Sequence, residues 1–202
     1  MEVTQYILIQ ITLGYWDHNM PTVILRPDAT TSQTGMNPSS NIHTVINDND
    51  DATSAFQSSA TANYTCTFDN TSGLGSATIE KFVFSFRAKQ DRRAGATVTV
   101  QLQGTSGAYS NFVLGGSGFT TTLTTFDSSE FTTQDDGSTA LDASYLDSLR
   151  VLISPSTEGH KVTDMFITVT YSTGYGNTVA GISDISKVVG IDTANISQVI
   201  GV

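Results

Sequence analysis

The sequence predicts an all-β protein: an antiparallel β-sandwich of the jelly-roll type with one short helix and extended arms at both ends. Three observations predict it. Only 14% of the 202 residues are charged, while Thr, Ser, Gly and Asn are abundant and β-branched residues dominate the apolar set. Such side chains fit a pleated, half-wet surface and resist helix. Several segments alternate apolar and polar residues with a period of two, as strands buried on one face do. Gly-rich and Asp/Asn-rich turns separate those segments.

The organisation reads as an N-terminal arm (residues 1–20), a jelly-roll sandwich (21–173) and an extended C-terminal tail (174–202). A core of about 150 residues buries roughly two-thirds of its unfolded surface, enough for one domain. The arm holds the apolar run Val3-Thr-Gln-Tyr6-Ile-Leu8-Ile-Gln-Ile11-Thr-Leu13, then the polar link Tyr15-Trp16-Asp17-His18-Asn19. Two readings of 1–19 stay open: a genuine arm, or an upstream extension before a start at Met20. No stretch reaches the ~18 apolar residues of a membrane span. Glu2 and the absence of a cationic region exclude a signal peptide, so the expectation is a soluble chain that nothing within it exports.

Strands become legible from Val23. In 81–87, Phe82, Phe84 and Phe86 take one face, with Lys81, Ser85 and Arg87 on the other and Val83 as the exception. Glu80 falls on the phenylalanine side of that alternation. In 97–103, Val98, Val100 and Leu102 point inward; in 161–171, Met165, Ile167, Val169 and Tyr171 share a side. The segment 119–126 is a weaker, Thr-rich strand, and 149–153 is a short one ending at Pro155. Thr139-Ala-Leu-Asp142 resembles a capping box with Asp in place of Glu, and Leu141, Tyr145, Leu146 and Leu149 follow at helical spacing.

The tail repeats itself. Ile185-Ser-Lys-Val188-Val-Gly-Ile191 recurs as Ile196-Ser-Gln-Val199-Ile-Gly-Val202, at a spacing of 11 residues. That spacing also suits a helix of ~3.67 residues per turn. Gly190, Gly201 and the β-branched crowding favour extended chain instead. Two such units cannot bury their own apolar groups, because repeats gain stability by stacking on neighbours. Ile185, Val188, Ile191, Ile196, Val199 and Val202, with Tyr6, Leu8 and Ile11 of the arm, are therefore the candidate contacts with other subunits. Folding back onto its own sandwich is the alternative for the tail.

Composition excludes several functions. A net charge of −10 opposes nucleic-acid binding, which needs clustered cations. Five of the nine cations lie within 81–93, where Arg87, Lys89, Arg92 and Arg93 are candidates for contact with an acidic partner. A solvated loop between strands is the leading reading of this charge run, with the acidic-partner contact second. Cys66, the lone cysteine, sits in the alternating segment Tyr64-Thr-Cys66-Thr-Phe68 and reads as a buried, inert thiol. His18, His43 and His160 fall in linker or loop contexts without His or Cys at ligand spacing, so zinc is not expected. Gly115-Gly-Ser-Gly118 is a turn and no nucleophile elbow. Glu80, Glu130 and Glu158 lack a facing carboxylate of the kind glycosidases use. The chain is not expected to be an enzyme, nor to need a cofactor. Asp48, Asp50 and Asp51 are a candidate for Ca²⁺ held through oxygen, although EF-hand spacing fails and local turns use the same residue types. Tyr109 and Phe112 are candidates for stacking on sugar rings; Trp16 lies in the arm.

Four segments together carry a resemblance. Leu25-Arg-Pro-Asp-Ala-Thr-Thr-Ser32, Asn47-Asp-Asn-Asp-Asp-Ala-Thr53, Asp142-Ala-Ser-Tyr-Leu-Asp-Ser-Leu-Arg-Val151 and Val162-Thr-Asp-Met-Phe-Ile-Thr-Val-Thr-Tyr171 resemble a jelly-roll domain of bacteriophage virion proteins and bacterial surface proteins. The resemblance spans about residues 21 to 172. Phe56 matches an aromatic that follows the D-A-T segment in that type, whereas Ser138-Thr139 stand where it carries a Trp. The tail is similar to C-terminal repeats of phage head-decoration, cement and tail proteins. The resemblance implies a virion structural protein made in the host cytoplasm, at the capsid surface ahead of the tail. It would be a cement or decoration subunit, a homo-oligomer with a trimer favoured, bound to the major capsid protein or other virion proteins. Nucleic acid and membrane are not implied as partners. The second reading is a carbohydrate-binding jelly-roll module of a phage tail or fibre that recognises the host surface.

Overall fold

The computed structural model describes residues 20–57, 62–75, 77–90, 97–104, 120–155 and 159–173, together with the backbone of 112–115, 187–188 and 191–192. Apart from a two-stranded ladder in the tail, its strands form two antiparallel sheets packed face to face. Sheet A runs in the order β3 (Met36–Asn37), β4 (Ala55–Gln57), β11 (His160–Ser172), β6 (Thr78–Gln90) and β9 (Thr124–Asp127). β1 (Thr22–Leu25) pairs with the same edge of β11 as β4 does. Sheet B runs β2 (Pro27–Thr34), β5 (Asn63–Phe68), β10 (Arg150–Pro155), β7 (Thr97–Gln103) and β8 (Phe112–Gly115). From β5 onward the chain passes repeatedly between the sheets: β5 in B, β6 in A, β7 and β8 in B, β9 in A, β10 in B and β11 in A. The fold is the all-β jelly-roll sandwich that the alternating segments predict.

The central pair is β6 with β11, each 13 residues long. Phe82, Phe84 and Phe86 are fully buried, as are their register partners Val169, Ile167 and Met165. Facing them from sheet B are Tyr64, Cys66, Val98, Val100, Leu102, Val151 and Ile153, all with no exposed surface. The ladder slips twice, between Val162 and Asp164 and between Thr170 and Tyr171. At each slip an extra residue reverses which face the following side chains take. Ile79, and not Glu80, therefore turns into the core; Glu80 is half-buried and accepts a 2.6 Å hydrogen bond from Ser172 Oγ. Arg87 and Lys89 belong to β6 itself and not to a loop. At the β4 edge, Met165 donates its backbone N–H to Ile46 O at 3.0 Å, so the loop between β3 and β4 completes the edge where no strand does.

The helix α1 (Ala143–Ser148) is shorter and starts later than the capping-box reading implies. Asp142 is its N-cap, its carboxylate accepting the Tyr145 N–H at 2.7 Å. Thr139 is spent on the preceding turn, where its backbone N–H and hydroxyl both donate to Asp136. Those bonds draw the Asp136 carboxyl down to about 2. Tyr145 and Leu146 are buried beneath the helix, with Leu141 and Leu149 packed at its ends. The Tyr145 hydroxyl accepts from Asp135 N at 3.1 Å and lies against Gly104, at the end of β7.

In the tail, Lys187–Val188 and Ile191–Asp192 form a two-stranded antiparallel ladder, β12 and β13, that pairs with neither sheet.

Any Cβ at position 104 would overlap the Tyr145 ring and hydroxyl as well as the Asp135 carboxyl. Gly104→Ala is therefore expected to destabilise the fold by about 1–3 kcal/mol, the usual cost of overpacking. Chemical denaturation of the two proteins checks it: an unchanged midpoint means that Tyr145 yields.

Candidate functional site

The sandwich interior is filled with apolar side chains, so chemistry has to be sought on its surfaces and in its few buried polar groups. Sheet B turns outward a broad polar face. Because inward and outward residues alternate along each strand, Thr97, Thr99, Gln101 and Gln103 of β7 point away from the core, as do Arg150, Leu152 and Ser154 of β10. Asn63, Thr65 and Thr67 of β5 do the same. The register lines them up in rows across the sheet: Ser32, Thr65, Leu152 and Gln101 in one, Thr67, Arg150 and Gln103 in the next. Hydrogen bonds tie the rows: Thr67 Oγ1 to Asp28 Oδ1 at 2.6 Å, Ser32 Oγ to Thr65 Oγ1 at 3.1 Å, and Gln103 Nε2 to Gln101 Oε1 at 3.2 Å. Arg150 and Asp28 are the charged members of this described face.

The outer face of sheet A is built differently, from ion pairs. Arg87 of β6 grips Asp51 with two bonds, Nε to Oδ1 at 2.8 Å and Nη2 to Oδ2 at 2.7 Å, and Thr163 Oγ1 adds a third at 3.1 Å. The guanidinium holds the Asp51 carboxyl down at about 2. Arg26 donates to the nearly buried Asp164 at 2.7 Å, with its guanidinium 5.6 Å from the centre of the Phe166 ring. Burial raises the Asp164 carboxyl, and Arg26 counters part of that rise. Lys81 pairs with Glu130.

The acidic loop shows what its carboxylates do. Asp48 accepts from Asp50 N at 3.0 Å and from the Thr53 hydroxyl at 2.6 Å; Asp50 accepts from Ala52 N at 2.9 Å; Asp51 faces Arg87. They brace a turn and point to separate partners. Among the described residues no group of three or more His, Cys, Asp or Glu is placed to hold a metal ion. Cys66 is buried in β5, and burial pushes its thiol up to about 12, which removes the reactive thiolate at neutral pH.

Sequence reasoning missed one cluster. His160 lies inside the sandwich at the start of β11, and not in a loop. Its ring stacks on Tyr64 of the opposite sheet, with centroids 6.4 Å apart and planes 14° from parallel. Gln90 is its partner across the β11–β6 ladder and is also buried. Tyr64 Oη and Gln90 Nε2 are enclosed with no hydrogen-bond partner among the described residues. Elsewhere, His43 sits in a 3-10 turn, its ring bonded to the Thr30 hydroxyl at 2.9 Å.

Other sequence candidates fall outside the described residues: Tyr6, Leu8, Ile11, Trp16 and His18 of the arm, Arg92 and Arg93, Tyr109, Glu158, and Ile185, Ile196, Val199 and Val202 of the tail. Of Phe112, Val188 and Ile191 the backbone alone is described; Phe112 stands opposite the buried Val100 in the β7–β8 register.

No family model matches this chain, and no curated protein does. Among solved structures it is similar to the C-terminal CBM6 of LamC, a marine laminarinase from Zobellia galactanivorans. The identity is 8%, over 74% of this chain and 99% of that one, with a TM-score of 0.41. It is also similar to the carbohydrate-binding module CBM6cm-2 from Cellvibrio mixtus lichenase 5A in complex with cellotriose. There the identity is 11%, over 75% of this chain and 98% of that one, with a TM-score of 0.39. At that level of likeness no property of those modules passes to this chain, whose architecture rests on its own ladders.

Burial lowers the His160 imidazole from its ordinary 6.5 to about 4, so the folded protein keeps it neutral. The unfolded chain takes up that proton first as pH falls. The stability linked to His160 is thus complete above pH 6.5 and is lost as the pH drops from there toward 4. Thermal melts across that window are expected to show a falling midpoint in the wild type and a flatter profile in His160→Phe. Parallel profiles would place the acid sensitivity elsewhere.

Proposed function

We propose that this chain is a non-enzymatic carbohydrate-recognition sandwich carried by a bacteriophage virion, with the outer face of sheet B as its recognition surface. The observation that carries this reading is chemical. A chain of net charge −10 sets out on that face a run of hydroxyl and amide side chains around one Arg and one Asp. Sugar hydroxyls both donate and accept hydrogen bonds, as Thr, Ser, Asn and Gln do. Adjacent strands lie about 4.8 Å apart, so such groups recur at short intervals across the sheet. The described aromatics are buried or half-buried, so hydrogen bonding is the mode of recognition that the described residues of this face offer. The virion setting rests on the resemblance of the four sequence segments and the repeated tail.

A second reading, a capsid cement or decoration subunit, draws support from the tail. Its β12–β13 ladder pairs with neither sheet, and its apolar repeat suits contact with other subunits. Under this reading the sandwich is the body and the ends are the attachment.

A glycan array probed with the intact protein tests the first reading, with expected binding to uncharged glycans. The pair Thr99→Ala and Gln101→Ala is expected to weaken it by roughly 10-fold or more, at about 1 kcal/mol per lost hydrogen bond. No binding to any glycan, together with loss of particle attachment on deleting residues 175–202, would replace it with the cement reading.

A further inference from the structure

We infer that Tyr64, Gln90 and His160 form an internal water site that bridges the two sheets at one end of the sandwich. Tyr64 comes from β5 of sheet B, while Gln90 and His160 are ladder partners on β6 and β11 of sheet A. Tyr64 and His160 have no exposed surface and Gln90 has 8%. Directly opposed residues in an antiparallel pair place their side chains on the same face, about 5 Å apart. The Tyr64–His160 stack brings the phenol over that face. The region thus gathers a hydroxyl and an amide nitrogen that lack partners among the described residues.

Native interiors rarely leave such groups unpaired, since each costs as much as a lost hydrogen bond. The occupant follows from their chemistry. The phenol donates and accepts, and the Gln90 amide nitrogen donates two hydrogens. Burial keeps both the Tyr64 phenol and the His160 ring neutral. A bare cation would meet amide N–H hydrogens, and an anion would lose its hydration in an apolar shell. A small neutral molecule able to accept from Gln90 and exchange hydrogen bonds with Tyr64 fits these groups, and water is that molecule in a protein interior. Buried waters take this role, with two to four polar partners each. The segments entering and leaving this end connect β4 to β5, β6 to β7 and β10 to β11, so the water would pin the strands from which three connections depart.

The test uses substitutions that remove hydrogen-bonding atoms and little else. Tyr64→Phe deletes one oxygen, and Gln90→Met keeps the chain length. If water bridges the two, each variant is expected to lower the melting temperature by roughly 2–6 °C. The double variant would then melt no lower than the worse single one, because the water is already lost. A Tyr64→Phe protein that melts at or above the wild-type temperature would overturn the inference, since it would have shed an unpaired hydroxyl at no cost. Strictly additive losses would overturn it as well. A high-resolution crystal structure adds a direct readout: solvent density within hydrogen-bond distance of Tyr64 Oη supports the site, and a continuous protein contact there refutes it.

Discussion

The antiparallel pairing of β6 with β11 is the contact on which the rest of the molecule depends. These two strands run in register for most of their length and present Phe82, Phe84, Phe86, Met165, Ile167 and Val169 as one continuous surface. Burying each of those side chains contributes on the order of 2–3 kcal/mol, so this one face outweighs any polar contact in the molecule. Sheet B is laid against it, and the smaller strands β1, β3, β4 and β9 extend the sheet at its two edges. The order of dependence is clear. Removing the face removes the reason for sheet B to pack, whereas losing an edge strand leaves the central pair intact.

The two bulges in this ladder decide where polar groups go. Between Val162 and Asp164 the extra residue carries Thr163 toward Asp51 and sets Asp164 beside Arg26. The Arg26–Asp164 pair joins the corner between β1 and β2 to the long strand. The exposed Arg87–Asp51 and Lys81–Glu130 pairs contribute less, because water and salt screen them and their side chains lose entropy. Their effect is positional. Arg87 and Thr163 fix Asp51, and with it the loop whose Ile46 carbonyl completes the edge of β11.

The same bulges mark where sequence reading stopped working. Alternation alone located the apolar faces of β6, β7 and the later half of β11, because period two is a local property. Projected backwards from Met165, it puts Thr163 and Lys161 inside; the bulge hands those inward positions to Val162 and His160. Projected backwards from Phe82, it puts Glu80 inside where Ile79 belongs. A bulge depends on the partner strand, so a single segment carries no sign of it. For that reason the Tyr64–Gln90–His160 cluster is invisible in the sequence, where His160 falls in a loop context. The helix was displaced for a similar reason. Thr139 and Asp142 are both competent caps, and only the Asp136 turn, which consumes Thr139, decides between them. The polar face of sheet B was legible as outward positions, but its rows required the register.

The two proposed readings are linked by the strength of the contacts that the sandwich offers. A face that recognises through hydroxyls and amides exchanges water hydrogen bonds for ligand hydrogen bonds, and each exchange yields little net free energy. Weak recognition of this kind becomes useful when many copies act together, because linked sites raise the effective concentration of one another. Under the proposed virion reading, many copies of the sandwich on one particle would meet that condition. The distribution of charge fits the same division. Many of the described acids lie in loops and turns, at Asp48, Asp50, Asp69, Asp135 and Asp136, while the broad face of sheet B stays close to neutral. The net charge of −10 opposes nonspecific adhesion to anionic polymers, while a face close to neutral remains open to uncharged ones. Selectivity would then come from what the net charge repels as much as from what the face attracts.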